Sequence, residues 1–222
     1  MNFHKTILPL FFATALFSQT IAEGFVDISK SVPNIVIELR YASENNFVGQ
    51  VIEGYEAPVC YLSLPASNAL KEVAEELAPF GLGLKVFDAY RPQRSVNHFV
   101  RWAKELSDTK MKEKYYPNVN KSELFEKGYI AAHSGHSRGS TIDLTLIDLA
   151  TKKELDMGTG FDFFSPVSWP TSMEVSAQQR ANRLLLHSVM LRHGFRALPE
   201  EWWHFTLSNE PYPTSYFDFV VR

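Results

Sequence analysis

The stretch SGHSRGSTIDLTL, Ser134–Leu146, decides how this chain is read. Its second half alternates: Ile142, Leu144 and Leu146 share one face, while Thr141, Asp143 and Thr145 share the other. Period-two alternation predicts a β-strand over Thr141–Ile147, anchored by its apolar face and carrying Asp143 on the polar one. The first half, Gly135–Gly139, is a glycine-rich turn with His136 seven residues before Asp143. Such a turn lets the chain fold back, so both side chains can reach one point. Further along, EWWH at Glu201–His204 supplies a second histidine and a second carboxylate. Two histidines, an aspartate and a separate glutamate make the donor set of a catalytic zinc site. Such a site has three protein ligands, an open fourth position and a base beside it.

A strand is expected over Trp203–Leu207, and at strand spacing Trp202, His204 and Thr206 share a face. Glu201, three residues before His204, would face away from it in a regular strand. Its expected place is therefore the irregular segment after Pro199, where it can turn toward a metal without binding it and take a proton from an attacking water. His133, three residues before His136, is the rival ligand; His98, His187 and His193 read as ordinary histidines. Each half of the constellation alone is a weak signal.

Outward from these segments, NIVIELRY at Asn34–Tyr41 reads as a strand. Pro65–Pro79 reads as a helix, with Ser63 or Leu64 before Pro65 at its start, one apolar face of Ala66, Ala69, Leu70, Val73, Ala74 and Leu77, and Gly81 and Gly83 beyond its end. Leu84–Ala89 is a strand closed by the Arg91-Pro92 turn. Gln93–Leu106 is helical, with Val96, Phe99, Val100 and Ala103 on one side. Ser176–His193 is a helix ended by Gly194, with Ala181, Leu184, Leu185 and Val189 expected inward. Strands and helices intersperse in pieces too short and irregular for repeated βαβ units. The fold class expected is α+β, a single domain with a central antiparallel sheet flanked by helices.

The chain has 222 residues, 45% hydrophobic and 21% charged, which is ordinary globular composition and suits one domain. Net charge is −3 with no strong basic patch, which argues against nucleic acid as a partner. Residues 1–22 read as a secretory signal peptide: Lys5 near the start, an apolar run from Ile7 to Phe17 broken only by Pro9 and Thr14, then Thr20-Ile21-Ala22 as a cleavage site. The run is too short for a comfortable membrane span, so no stable membrane association is expected after cleavage. The domain then spans 23–222, in the periplasm or outside the cell. Cys60 is the single cysteine, set among apolar neighbours in APVCYLSLP, and reads as a small buried residue rather than a nucleophile.

Several stretches together carry a family resemblance. SGHSRGSTIDLTL, MGTGFDFF at Met157–Phe164 and EWWHF at Glu201–Phe205 closely resemble the D-alanyl-D-alanine dipeptidases, the VanX-like branch of the zinc D,D-peptidases. DAYRP at Asp88–Pro92 and LRYASENNF at Leu39–Phe47 are similar to the same family. The resemblance runs from about Leu39 to about Phe205. The SxHxxGxxxD and ExxH elements are shared with carboxypeptidases, endopeptidases and hedgehog-like domains; EWWH, MGTxFDFF and the YRP turn are more specific to the dipeptidases.

The resemblance implies one Zn²⁺ per chain held by His136, Asp143 and His204. It implies Glu201 as base and later proton donor, and Arg91 as holder of the carbonyl oxygen and developing oxyanion. Asp162 is the candidate for a substrate ammonium, since a dipeptidase must recognise a free amino end. Tyr41 is expected to assist there, and Ser134 to bind the substrate carboxylate. Ser137 and Arg138 could equally fix the turn that presents His136. Trp202, Trp203, Phe161, Phe163 and Phe164 read mostly as core, with one or two walling a small pocket.

The implied activity is hydrolysis of a small D,D-dipeptide, D-Ala-D-Ala, in cell-wall peptide turnover or scavenging. Two rivals stand beside it. A D,D-carboxypeptidase would act on longer wall peptides, and Asp162 discriminates if it closes the ammonium end. A non-catalytic metal-stabilised binding module would have no need of Glu201 and Arg91. A serine or thiol hydrolase is poorly supported, because no GxSxG elbow is present and Cys60 lacks a polar setting.

Overall fold

The computed structural model describes residues 21–222. Most of the expected signal peptide, 1–22, therefore lies outside the described residues. In chain order the elements are β1 (Phe25–Asp27), α1 (Ile28–Ser31), β2 (Val36–Ile37), β3 (Tyr61–Ser63), α2 (Leu64–Leu77), β4 (Leu82–Asp88), α3 (Gln93–Lys104), α4 (Lys112–Tyr115), β5 (Thr141–Asp148), α5 (Ala177–Arg192), β6 (Phe195–Ala197) and β7 (His204–Leu207). The main sheet runs β2-β4-β5-β7-β6, and β1 pairs with β3 in a small second sheet. Among the described residues no helix is long and apolar enough to cross a membrane.

The α+β class holds, with one difference in the sheet. Strands β4, β5, β7 and β6 are antiparallel as expected, but β2 joins the edge beside β4 in parallel. The chain reaches β4 from β2 by crossing over through α2, and a crossover of that kind returns a strand in the same direction. The strand expected over 34–41 is accordingly short. Only Val36 and Ile37 pair, and Arg40–Ala42 turns into a 3₁₀ helix that buries Tyr41.

β5 is the centre of the domain. All of Thr141–Ile147 is buried, on the threonine and aspartate face as well as the Ile142–Leu144–Leu146 face. α3 lies on the Asp143 side, where its Val96 and Phe99 join Asp143 around a cavity. α2 forms where expected: proline near its first turn, Ala66, Leu70, Val73, Ala74 and Leu77 buried, and Gly81 in the left-handed conformation just beyond.

α5 starts at a capping box made by Ser176 and Gln179. Its inward face, however, is Asn182, Arg183, Leu186, Val189 and Met190. Leu184 and Leu185 are exposed, contrary to the apolar pattern of the sequence. Three consecutive leucines, 184–186, fit more than one face. The polar pair Asn182–Arg183 settled the phase, because both side chains bind backbone carbonyls beneath the helix. Cys60 is buried, as expected.

Candidate functional site

Three neighbouring strands put three site residues in a row. Asp88 of β4 lies opposite Asp143 of β5, and Asp143 lies opposite His204 of β7. Side chains of directly opposed residues are close neighbours on one face of a sheet. An irregularity in β4 between Val86 and Asp88 re-aims Asp88 at this row. His136 arrives from the 3₁₀ turn Gly135–Arg138, which Ser134 caps by accepting the His136 N–H. Gly139 closes the turn at φ +81°, and a Cβ there would clash with the Phe25 ring, so the position favours glycine.

His136 Nδ1 lies 2.7 Å from the Ala89 carbonyl oxygen. A ring N–H donated there leaves Nε2 as a lone pair aimed into the cavity. His136 Nε2 lies 3.4 Å from His204 Nδ1 and 3.2 Å from Asp143 Oδ2, and His204 Nδ1 lies 3.1 Å from Asp143 Oδ1. These three groups are the set able to hold a metal ion among the described residues. Tetrahedral zinc with ligand bonds of 2.0–2.1 Å would hold its ligand atoms about 3.3 Å apart, which these separations match. Among the described residues Asp143 Oδ1 is buried and accepts no hydrogen bond of good geometry, as suits an oxygen free to face a cation. The donor set, the tautomer of His136 and the spacing thus all fit the expected ion. His133, the rival, is exposed on the cavity rim with its ring against Tyr216 and does not join the set.

Glu201 sits in the irregular segment before β7, as expected, with Oε2 at 3.4 Å from His204 Nδ1. It is outside the ligand set. Burial pushes its carboxyl up to about 7; His204 and Arg91 work against this and Asp143 adds to it. A carboxyl poised there can both accept and return a proton near neutral pH. Asp143 is the opposite case: burial alone would raise it, but the two histidines hold it well below the usual carboxylate range.

Arg91 is held from three sides. Its Nε donates to Asp88 Oδ2 at 2.8 Å, and its guanidinium carbon lies 4.9 Å from the Tyr41 ring centre and 5.3 Å from that of Phe99. Its Nη2 lies 3.5 Å from Asp143 Oδ2. The ion pair with Asp88 and a role at the site are therefore compatible: the pair aims the fork. Asp88 itself is fully buried and also accepts from the Tyr55 hydroxyl at 2.7 Å.

Asp162 lines the same cavity, buried, at a φ of +60° that few non-glycine residues adopt. Burial raises its carboxyl well above the usual range, Asp143 and Glu201 add to that, and Arg91 opposes it. The Tyr41 hydroxyl donates to Asp162 Oδ2 at 3.0 Å, so Tyr41 acts on the amino-end candidate directly. Ser134 lines the cavity as well, its oxygen occupied by the turn and its proton left to donate. All the sequence-derived site residues, Tyr41, Arg91, Ser134, His136, Asp143, Asp162, Glu201 and His204, thus surround one cavity of about 300 Å³.

Sequence reading missed three supports. Asp88 stands out in the sequence only as the first residue of DAYRP. The Ala89 carbonyl that orients His136 has no sequence signal. Asn46, fully buried, binds the backbone of Arg40, Ser43, Val48, Gly49 and Gln50 and so shapes the turn that carries Tyr41.

Of the aromatic group, Phe161, Phe164, Trp202 and Trp203 are core, and Phe164 also walls the cavity.

Three carboxylates, Asp143, Asp162 and Glu201, line this small cavity together with Arg91, His136 and His204, an arrangement able to hold a cation with an ionisable glutamate beside it. The chain belongs to the D-Ala-D-Ala dipeptidase family, whose family model matches residues 21–222. It is 41% identical to the D-alanyl-D-alanine dipeptidase of Enterococcus faecium over 199 residues, which cover 90% of this chain and 98% of that one. The D-alanyl-D-alanine dipeptidase of Streptomyces coelicolor is 40% identical over 89% of this chain and 98% of its own length. The Escherichia coli protein of the same name is 35% identical over 82% of this chain and 83% of its own.

Proposed function

We propose that this chain is a zinc-dependent dipeptidase that hydrolyses D-Ala-D-Ala to two D-alanines. The observation that carries the reading is the convergence of His136 Nε2, Asp143 and His204 Nδ1 beside Glu201. Membership of the dipeptidase family supplies the substrate class.

His136, Asp143 and His204 would hold the zinc ion, which when bound polarises the peptide carbonyl and makes water a better nucleophile. Glu201 takes a proton from the attacking water as the carbon–oxygen bond forms. It returns that proton to the departing nitrogen as the carbon–nitrogen bond breaks. Arg91 donates to the carbonyl oxygen as negative charge grows there, and its fixed pose between Tyr41 and Phe99 means no reorganisation is needed. Asp162, steadied by Tyr41, pairs with the substrate ammonium, whose charge favours the ionised carboxylate in a buried site. Ser134 donates to the substrate carboxylate. A buried ammonium seat at Asp162 disfavours peptides extended at the amino end, and this favours the dipeptide over the longer wall peptides of a carboxypeptidase.

The signal peptide read over residues 1–22 supports action in the periplasm or outside the cell, in wall-peptide turnover or scavenging. The test is D-alanine release from D-Ala-D-Ala by the purified protein, with and without chelator and with zinc restored. Chelator-sensitive release restored by zinc is expected. No release by folded, zinc-loaded protein would overturn the reading.

A further inference from the structure

Arg183 is 2% exposed and lies on the inner face of α5, outside the cavity. No carboxylate lies within ion-pairing distance of it among the described residues. Its Nε donates to the Met157 carbonyl at 2.7 Å, and its Nη1 donates to the carbonyls of Val167 at 2.9 Å and Trp169 at 2.8 Å. Its Nη2 is buried and donates no hydrogen bond among the described residues. Burial disfavours its charge and only the nearby Asp156 carboxylate, beyond ion-pairing distance, opposes this, so the cation is satisfied chiefly by carbonyls, a costly arrangement.

The three carbonyls belong to the two feet of one loop, Met157–Trp169, and Asp162 lies between them. That loop contains Gly158 and Gly160, and Asp162 sits in the left-handed region, so its backbone must be held from outside. Further bonds tighten the same loop. Asn182 of α5 donates to the Asp156 carbonyl at 2.8 Å. Ser168 Oγ donates to the Phe163 carbonyl at 2.6 Å and lies 3.0 Å from Thr159 Oγ1. Trp202, next to Glu201, donates its indole N–H to Thr159 Oγ1 at 2.9 Å and its backbone N–H to the Ser168 carbonyl at 3.1 Å.

We propose that Arg183 is a positioning residue for substrate recognition: it clamps both feet of the loop that presents Asp162 to the amino end of the dipeptide. The inference rests on the assignment of Asp162 made above and deepens it. A planar fork with separated donors can reach carbonyls from both feet, whereas the single-point ammonium of lysine cannot reproduce that span. Phe161 and Phe164 pin the middle of the loop through their rings, and Arg183 fixes where its ends stand.

The test compares zinc-loaded wild type with Arg183→Lys by hydrogen exchange and by steady-state kinetics. Amides of the loop, 158–168, should exchange about ten-fold faster or more in the variant, with those of β5 and β7 unchanged. KM for D-Ala-D-Ala should rise about ten-fold with kcat within about three-fold, and the preference for the free over the N-acetylated dipeptide should shrink in step. In an Asp162→Asn background, Arg183→Lys should add no further rise, because the two act on one contact. Unchanged loop exchange, uniformly faster exchange, multiplying effects on KM, or a fall in kcat alone would each overturn the clamp. If Arg183→Lys does not fold, Arg183→Met avoids burying an ammonium and faces the same criteria. Should wild type release no D-alanine at all, the dipeptidase reading fails, while the exchange measurement still decides whether Arg183 holds the loop.

Discussion

The two sides of the cavity are built in opposite ways. On one side Asp143 and His204 stand in register on adjacent strands with Asp88 behind them, and His136 joins from a turn, its ring tied to the Ala89 carbonyl just after β4. On the other, Tyr41 comes from a 3₁₀ turn and Asp162 from a glycine-containing loop at positive φ, with no ladder behind either. The cation side needs donor atoms a few tenths of an ångström from ideal, and a sheet with one tethered turn beside it delivers that. The recognition side needs only a seat of the right charge and depth, which loops can provide and can exchange for other seats. The difference implies that damage to the first should cost turnover, and damage to the second should cost selectivity.

The sharpest way to break that comparison is Glu201→Gln. The amide keeps the shape of the side chain but cannot take a proton, so kcat should fall by about 10²–10⁴-fold with one zinc per chain retained. Metal content and single-turnover rate measured together check this. Full activity would remove Glu201 from the base role. Loss of zinc along with activity would instead make Glu201 part of the cation side.

Arg91→Lys tests the residue that belongs to both sides. Lysine keeps the charge but cannot pair with Asp88 through one nitrogen while stacking between Tyr41 and Phe99 and reaching the substrate with another. A loss of about 10²–10³-fold in kcat is expected, with KM moving less, as for removal of one oxyanion donor. An equal loss spread over KM would show that Arg91 binds substrate and transition state alike.

How much of this was legible beforehand follows the same division. The alternation of Thr141–Ile147 and the placement of Asp143 were readable because period two is a property of the strand itself. The pairing of Asp143 with His204 was not, since register is set by contacts far apart in the chain. Glu201 was placed correctly because Pro199 marks an irregular stretch. The phase of α5 was misread: its leucines were expected inside, yet Leu184 and Leu185 face outward while Arg183 is buried. Hydropathy cannot foresee a buried arginine whose partners are backbone carbonyls of a distant loop. Asn46 escaped notice for the same reason, its partners being backbone groups that carry no signature.

Asp162→Asn probes the recognition side with a smaller expected effect. Replacing a carboxylate with an amide removes the charge from a charge-assisted bond of about 1.5–3 kcal/mol, so KM for the free dipeptide should rise about 10–100-fold. Zinc binding should be untouched, because Asp162 is outside the ligand set. Competition between D-Ala-D-Ala and its N-acetylated form reads the outcome directly. If the acetylated peptide gains nothing in relative rate, the ammonium seat lies elsewhere and the loop is scaffold.

The smallest expected effect concerns the cost of keeping Glu201 reactive. In metal-free protein its carboxyl is raised from an ordinary 4.5 to about 7, chiefly by burial. A group raised in this way contributes stability that is full below its unfolded value and is lost as pH rises through the folded one. Chelated wild type should therefore lose stability relative to chelated Glu201→Gln between about pH 5 and pH 8, by on the order of 1–2 kcal/mol, since the side chain is only partly screened by solvent. Urea unfolding of both proteins across that range measures it. A difference that stays flat with pH would mean that burial does not tune this carboxyl, and that any shift seen in the active enzyme comes from the cation side alone. A difference with the expected slope would place the base with the recognition loops in construction and with the sheet in chemistry. Its backbone is irregular, burial raises its carboxyl, and it stands beside His204 where the strands converge.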